Sequence, residues 1–151
     1  MSYQLSLLHF EQLSKEQLYD VLQLRADVFV LEQKSLYRDI DGQDKDAWHI
    51  LAYDHKHQLI GVVRLLKDPK DPSCYTIGRV GVSKSGRGQG LAKELMERAH
   101  EFIAKQEKAE RIELSAQEYL AEFYKTLGYV LVSDQPYDDA GVMHVDMIRA
   151  V

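Results

Sequence analysis

Three closely spaced glycines and an arginine form the part of the sequence best suited to chemistry. Gly86, Gly88 and Gly90 stand at alternate positions, Arg87 lies between the first two, and Leu91 begins an apolar helical stripe. Glycine leaves backbone amides uncovered and accepts left-handed torsion angles. Amides at a helix N-terminus bind anions, and arginine adds a positive charge. The pattern predicts a turn that holds a phosphate or pyrophosphate group; a plain strand-to-helix turn with a glycine cap is the structural alternative.

Two other phosphate-binding motifs fit this stretch less well. Residues 81–88 approach the Walker pattern, but Arg87 and Gly88 stand where a lysine and a magnesium-binding serine or threonine are required. The dinucleotide fingerprint would need a third glycine at position 91, which is leucine. Nucleoside triphosphate and dinucleotide chemistry are therefore disfavoured.

The elements around the turn alternate between strands and helices. Residues 14–17 have the pattern of a capping box, and apolar residues then follow at helical spacing to about residue 31. Strands are predicted at 5–11, 48–53, 59–66, 75–82, 111–116, 129–133 and 142–149. Further helices are predicted from 91 to about 106 and over 120–127, the latter after a second capping box at 115–118.

Two local features are unusual for their elements. Arg25 lies on the apolar stripe of the first helix, so we expect it to pair with an aspartate of the acidic, otherwise solvated loop at 39–46. Gly78 and Gly81 lie inside the strand at 75–82, where glycine is normally avoided. This predicts a bulge or the close approach of a ligand.

Composition narrows the class of protein. The chain has 151 residues, 45% of them hydrophobic, which suits one globular domain over 1–151. A net charge of −5 argues against a nucleic-acid-binding surface and suits an amine substrate better. Cys74 is the only cysteine, and the sequence has neither a leader pattern nor a long apolar run. We therefore expect a cytoplasmic protein without a membrane partner.

The glycine turn also matches a known family. A strand followed by Arg-x-x-Gly-x-Ala at Arg87, Gly90 and Ala92, and then by a helix, resembles the acetyl-CoA signature of the GNAT N-acetyltransferases. The segment 117–129 resembles a later segment of that family, with Gln117 in place of an asparagine seven residues before a tyrosine. Segments that look like the ElaA-like branch are 22–25, 28–30, 32–33, 39–42 and 114–117. Tyr119 departs from that branch, where histidine is expected.

This resemblance implies an α/β (α+β) fold, with a mixed central sheet of about seven strands flanked by helices. The implied order is strand, two helices, three strands, helix, strand, helix and two strands. The chain follows this order, except that no pattern marks the second helix. The strands at 75–82 and 111–116 are implied to run parallel and splay apart, so that pantetheine can insert between them.

The resemblance further implies a donor site and a reaction. Acetyl-CoA would be the acyl donor, and Tyr124 aligns with the family tyrosine that protonates the coenzyme A sulfur; a core tyrosine is the structural alternative. The reaction implied is direct acetyl transfer to a primary amine of a small molecule or peptide, by a monomer or a homodimer. A non-catalytic acyl-CoA-binding or sensing module is the alternative. The residues implied to contact the donor are Val80, Gly81, Val82, Arg87, Gly88, Gln89, Gly90, Leu91, Ala92 and Gln117.

The sequence does not identify a general base. The strand at 75–82 contains no Asp, Glu or His, although some GNAT enzymes place a carboxylate there. His55 and His57 lie in a predicted hairpin tip without a third ligand, so no metal site is expected. A water molecule that relays the proton of the amine is an alternative to a side-chain base. The candidates by residue type are Glu32, His49, Glu113 and His144.

Overall fold

A single mixed sheet forms the centre of the structure. The structure, a computed structural model, describes residues 3–133 and 135–151, so Met1, Ser2 and Asp134 lie outside it. The strands are β1 (Tyr3–His9), β2 (Trp48–Asp54), β3 (Leu59–Lys67), β4 (Cys74–Val82), β5 (Arg111–Gln117), β6 (Val130–Leu131), β7 (Tyr137–Asp139) and β8 (Val142–Ala150). They pair in the order β1-β2-β3-β4-β5-β8-β6, and β7 also pairs with β8.

The strand directions make the sheet mixed. Between the described strands, β4 and β5 are parallel and the other pairs are antiparallel. The expected α/β sheet is thereby confirmed. Over residues 3–133 and 135–151 it has eight strands instead of about seven, because the short strand β7 adds to the hairpin with β8.

Helices cover both faces of the sheet. They are α1 (Lys15–Arg25), continued by a π-helical segment (Ala26–Glu32), then α2 (Leu91–Ala104) and α3 (Ala121–Thr126). Successive strand residues point to opposite faces, so Leu51 and Val62 pack with α1, whereas Ile50 and Val63 belong to the core beneath α2. Burying each such side chain contributes about 1.5–3 kcal/mol.

One of the two predicted capping boxes is present. Ser14 Oγ accepts a hydrogen bond from the backbone N–H of Gln17, and the side-chain Oε1 of Gln17 accepts one from the backbone N–H of Ser14. The prediction of a second box is wrong, because Ser115 lies in β5 and its hydroxyl pairs with Tyr137. The helix after it begins at Ala121 without a side-chain cap.

The first helix changes its winding before it ends. The helix predicted to about residue 31 extends to Glu32, but its last turns are π-helical: the backbone amide of Gln33 donates to the carbonyl of Val28, five residues earlier, at 3.0 Å. Such π-helical turns widen the helix and are frequent at functional sites. This segment stands in place of a separate second helix.

The predicted bulge in β4 is confirmed. Val62 pairs with Gly81 but Arg64 pairs with Gly78, so β4 has one extra residue over this interval, and Arg79 adopts φ +52°. The two glycines have different reasons to be there. A Cβ on Gly81 would lie 3.1 Å from Phe29 Cζ, whereas one on Gly78 would meet nothing within 4 Å. The absence of a Cβ at Gly81 therefore lets the π-helical segment pack closely against β4, whereas Gly78 leaves open space beside the strand.

The loop at 39–46 is not a solvated turn, because its aspartates bind arginines beneath it. Asp44 is only 6% exposed. The expected pairing of Arg25 is confirmed: its Nη1 lies 2.7 Å from Asp44, and its Nε lies 3.1 Å from Asp39. We refer to the whole group as the arginine–aspartate cluster; its members are Arg25, Arg64, Arg79, Asp39, Asp41 and Asp44.

Charge balance explains how the cluster is tolerated under the loop. Three guanidinium groups face three carboxylates, and most contacts are hydrogen-bonded ion pairs. Burial alone would raise the pKa of Asp44, but hydrogen bonding by Arg25 and the charges of Arg25 and Arg64 lower that pKa below its usual value. The cluster thus fixes the loop against the sheet.

Candidate active site

The two central strands separate toward the glycine turn. Strands β4 and β5 pair only over Cys74–Thr76 and 111–113 within the described residues. Past this point β4 keeps its ladder with β3 but faces β5 across a gap. The parallel, splayed arrangement agrees with what the resemblance implies, and it leaves backbone groups of residues 77–82 available to a ligand.

A cavity of about 630 Å³ lies at the open end of this gap, and we refer to it as the turn-side cavity. Gly88, Gln89, Gly90 and Leu91 are outside its lining. Its walls bring the strand, the glycine turn and α3 to one place. The residues expected to contact the donor or its sulfur that do line it are Val80, Gly81, Val82, Arg87, Ala92, Gln117 and Tyr124.

The glycines of the turn serve different purposes. Gly88 and Gly90 have φ values of +81° and +76°, which L side chains rarely adopt. Gly86 has no room for a Cβ, which would lie 3.0 Å from the carbonyl oxygen of Ile60. Gly90 is the N-cap of α2 and has no side-chain cap. The first amides of α2 thus lack intrahelical acceptors and are free to bind an anion.

The side chains of the turn point in different directions. Gln89 folds back onto the turn, donating a hydrogen bond to the carbonyl of Gly86 at 3.0 Å. The Leu91 side chain is 2% exposed and packs in the core, so only its backbone could contact a ligand. Arg87 extends toward the π-helical segment, where Glu32 accepts its hydrogen bonds. Its guanidinium also donates to the carbonyl of Val82.

Gln117 has an unsatisfied polar atom in the gap. Its Nε2 donates a 2.9 Å hydrogen bond to Gln33, but its Oε1 is buried and has no partner among the described residues. A buried acceptor without a partner costs about 1–3 kcal/mol. The position therefore fits a ligand that donates a hydrogen bond, such as an amide.

Tyr124 lies where two cavities meet. A smaller cavity of about 270 Å³, lined in part by Gly78, Ser115 and His144, adjoins the first, and Tyr124 borders both. We refer to it as the hairpin-side cavity. The Tyr124 ring is packed edge-on against Phe123 and Tyr129. Burial raises the pKa of Tyr124 to about 12, so the hydroxyl keeps its proton at neutral pH.

The walls of the hairpin-side cavity carry polar groups of both signs. Arg64, Arg79 and Asp139 are among its lining residues. The Nε of Arg64 is buried and has no partner among the described residues, although the rest of its guanidinium binds aspartates. Gly78 leaves this side of the sheet uncovered. The cavity can therefore accept a small polar molecule.

The described residues include no cluster of three or more His, Cys, Asp or Glu side chains arranged to bind a metal ion. His55 and His57 lie in the turn between β2 and β3, away from both cavities.

Over 3–133 and 135–151, none of the helices is long and apolar enough to cross a membrane.

The fold is that of a known family. Residues 11–151 match the acetyltransferase (GNAT) domain family. The chain belongs to the GNAT acetyltransferase family. The resemblance of the sequence to the GNAT family is thereby confirmed.

Known GNAT relatives place the chain in the ElaA-like branch. Protein ElaA of Escherichia coli K12 is 38% identical over 146 residues, which cover 95% of this chain and 94% of that protein. The crystal structure of Escherichia coli ElaA matches with a TM-score of 0.89 at 37% identity, covering 97% of this chain and 99% of that one. An acyl-CoA N-acyltransferase from Pseudomonas aeruginosa also matches with a TM-score of 0.89, at 36% identity, covering 99% and 100% of the two chains.

Sequence reasoning missed two contributors to this GNAT site. Gln33 borders both cavities and binds Gln117 from 84 residues away, a pairing that no local spacing could indicate. No residue pattern singles out Arg79 inside its strand, yet it joins the hairpin-side cavity to the arginine–aspartate cluster. Its signal was the pair of glycines around it, which predicted the bulge.

Proposed function

We propose that this protein transfers an acetyl group from acetyl-CoA directly to a primary amine of a small molecule or peptide. The proposal treats residues 1–151 as one domain, acting in the cytoplasm as a monomer or a homodimer. The observation that carries it is the position of Tyr124 at the junction of the two cavities. A donor in one cavity and an amine in the other would meet beside its hydroxyl.

The turn-side cavity fits the proposed donor. Residues 77–82 have an unpaired edge to which the amides of pantetheine can bind, near Val80 and Val82. The orphaned oxygen of Gln117 suits an amide N–H of the same arm. The pyrophosphate would lie at the N-terminus of α2, held by Arg87 and by the amides of residues 88–92.

On the donor side, the reaction also requires a group that protonates the leaving sulfur. As the amine nitrogen forms its bond to the acetyl carbon, the carbon–sulfur bond breaks and the sulfur needs a proton. The raised pKa of Tyr124 keeps that proton in place until the sulfur gains negative charge. The same burial disfavours a charged thiolate beside the ring, which favours transfer of the proton from Tyr124 to the leaving sulfur.

The decisive experiment measures release of free coenzyme A thiol from acetyl-CoA in the presence of a panel of amines and peptides. Amine-dependent thiol release, with the acetylated amine identified by mass spectrometry, is the expected result. Tight binding of acetyl-CoA without turnover on any amine would instead support the acyl-CoA-binding module. Absence of acetyl-CoA binding would remove both.

A further inference from the structure

We propose that His144 is the catalytic base that takes a proton from the acceptor amine in the hairpin-side cavity. The inference rests on the acetyl transfer proposed above and supplies the group that the sequence does not identify. The structure separates the four candidate side chains by their positions and partners.

Three of the candidates lie outside the hairpin-side cavity. Glu32 lines only the turn-side cavity, on the donor side, where it binds Arg87 in the absence of a ligand. His49 is 2% exposed, and its Nε2 lies 3.0 Å from a backbone carbonyl of the arginine–aspartate cluster. Glu113 accepts a hydrogen bond from Arg111 at the closed end of the gap. Neither His49 nor Glu113 lines the cavities at the junction.

His144 lies in the wall of the hairpin-side cavity. Strand β8 pairs it with Gln117 of β5 on one side and with Tyr137 of β7 on the other. The side chain is half-buried and shares the cavity with Tyr124. An amine between them would have the base on the acceptor side and the acid on the donor side.

One hydrogen bond determines which nitrogen of His144 can accept a proton. Its Nδ1 lies 2.8 Å from the backbone carbonyl of Val142. A carbonyl oxygen has no proton to give, so Nδ1 must be the donor. In the neutral ring the lone pair then belongs to Nε2, as general base catalysis requires.

The neighbouring tyrosine fixes the orientation of the imidazole. The rings of Tyr137 and His144 are stacked, with centroids 6.1 Å apart and planes inclined by 28°. The Tyr137 hydroxyl donates a 2.6 Å hydrogen bond to Asp146 and lies 2.6 Å from the hydroxyl of Ser115. Tyr137 is thus a positioning residue, tied to both β5 and β8.

The proton balance of the step then closes. A neutral primary amine loses one proton as its nitrogen bonds to the acetyl carbon, and His144 Nε2 takes it. Tyr124 gives its proton to the sulfur as the carbon–sulfur bond breaks. Solvent then carries a proton from His144 back to Tyr124, so both groups regain their starting forms.

The sharpest test is His144→Asn. The asparagine amide can still donate to the carbonyl of Val142, but it has no basic nitrogen. With an amine that the wild-type protein acetylates, kcat should fall about 10²–10⁴-fold. The dissociation constant for acetyl-CoA should stay unchanged, and His55→Gln, in the exposed β2–β3 turn, should retain wild-type turnover.

A pH profile and chemical rescue distinguish a base from a structural histidine. The limb of kcat/KM that rises with pH should weaken in His144→Asn, and added imidazole should partly restore turnover in His144→Ala. Both variants leave the surrounding titratable and charged groups in place. Those that share the cavity or contact Tyr137 are Tyr37, Arg64, Arg79, Tyr124, Asp139 and Asp146.

The outcomes separate this inference from the function on which it rests. Wild-type transfer together with undiminished turnover by His144→Asn overturns the assignment of the base and leaves the acetyltransferase function intact. Failure of imidazole to rescue a folded His144→Ala protein, judged by its thermal transition, also counts against it. Failure of the wild-type protein to acetylate any amine overturns the function and the inference together.

Discussion

The guanidinium of Arg87 and the carboxylate of Glu32 form a bidentate ion pair, with N–O distances of 2.6 and 2.7 Å, although the two residues are 55 positions apart in the sequence. The pair joins the glycine turn to the end of the π-helical segment, beside the turn-side cavity. The hydrogen bond from Arg87 is the main reason why the pKa of Glu32 lies below its usual value. If a diphosphate binds Arg87, the guanidinium exchanges one negatively charged partner, the Glu32 carboxylate, for another, the phosphate.

Replacing Arg87 should weaken the binding of acetyl-CoA but not of its truncated analogue. A hydrogen bond to a charged group contributes about 1.5–3 kcal/mol, so Arg87→Ala should raise the dissociation constant about tenfold or more. S-acetylpantetheine has no pyrophosphate and should bind the two proteins equally. Titration calorimetry of both compounds at one ionic strength measures the difference. An equal loss for both would mean that Arg87 shapes the cavity instead of binding phosphate.

Removing the hydroxyl of Tyr124 should slow the reaction without weakening donor binding. A well-placed general acid contributes about 10²–10⁴-fold in rate, so kcat of Tyr124→Phe should fall by that order. The ring packing against Phe123 and Tyr129 is retained, which keeps the cavity intact. Tyr19→Phe, at a position 71% exposed on α1, is the matched control and should behave as wild type. Unaltered turnover in Tyr124→Phe would remove the assignment.

The arginine–aspartate cluster should make stability depend on one buried carboxylate. Asp44→Asn leaves Arg25 with less compensation, and breaking a buried pair costs about 3–5 kcal/mol. Denaturant unfolding at pH 7 should show this loss. Asp46→Asn, at an exposed position in the short 3₁₀ helix Gln43–Asp46 that also contains Asp44, should change the free energy of unfolding by less than about 0.5 kcal/mol.

The pH dependence of that loss has a defined sign. Because the folded-state pKa of Asp44 is lowered, its carboxylate stabilises the fold above the unfolded-state pKa of about 4. The contribution is lost as pH falls through the lowered folded value. The gap between wild-type and Asp44→Asn stability should therefore narrow in acid. A gap that is constant with pH would show that lost packing, and not charge, is responsible.

A methyl group should destabilise the fold at Gly81 but not at Gly78, the two glycines of β4. Gly81→Ala would place its Cβ 3.1 Å from Phe29 and 3.5 Å from Leu24, both buried. Overpacking of this kind costs about 1–3 kcal/mol, seen as a lower midpoint of denaturant unfolding. Gly78→Ala meets nothing within 4 Å and should be nearly neutral. Equal effects would mean that backbone conformation, not contact with the helix, selects glycine here.

Local patterns predicted the elements better than their partners. The capping pattern at Ser14 succeeded because the following residues have helical periodicity, and nothing competes for its hydroxyl. The same pattern at Ser115 failed because those residues also alternate as a strand, and the ladder with β8 decided the outcome. The local pattern at 39–46 predicts a solvated loop, because its partners Arg64 and Arg79 lie about 20–40 residues further along the chain.

The site was predictable where one short segment carries it. The glycine turn and its positive φ angles follow from the residues at 86–91 alone. Tyr124 could be nominated only through the family resemblance, since burial in a short helix looks the same for a core tyrosine. The hairpin-side cavity is assembled from the π-helical region and the loop after it, the strands β3, β4 and β5, the helix α3 and the β7–β8 hairpin. No sequence window contains those elements together, so its residues could be named by type but not placed.

The three-residue contact between β4 and β5 divides the sheet into two ladders, β1–β4 and β5–β8. Each ladder carries its own hydrogen bonds, and the continuity between them depends on a short seam at one end. A donor arm bonded to the free edge of β4 would extend that seam as an additional strand. Binding would then be coupled to the cooperativity of unfolding, since a ligand that prefers the folded state stabilises it by mass action. In that arrangement the acyl donor is a reactant and also a temporary part of the sheet.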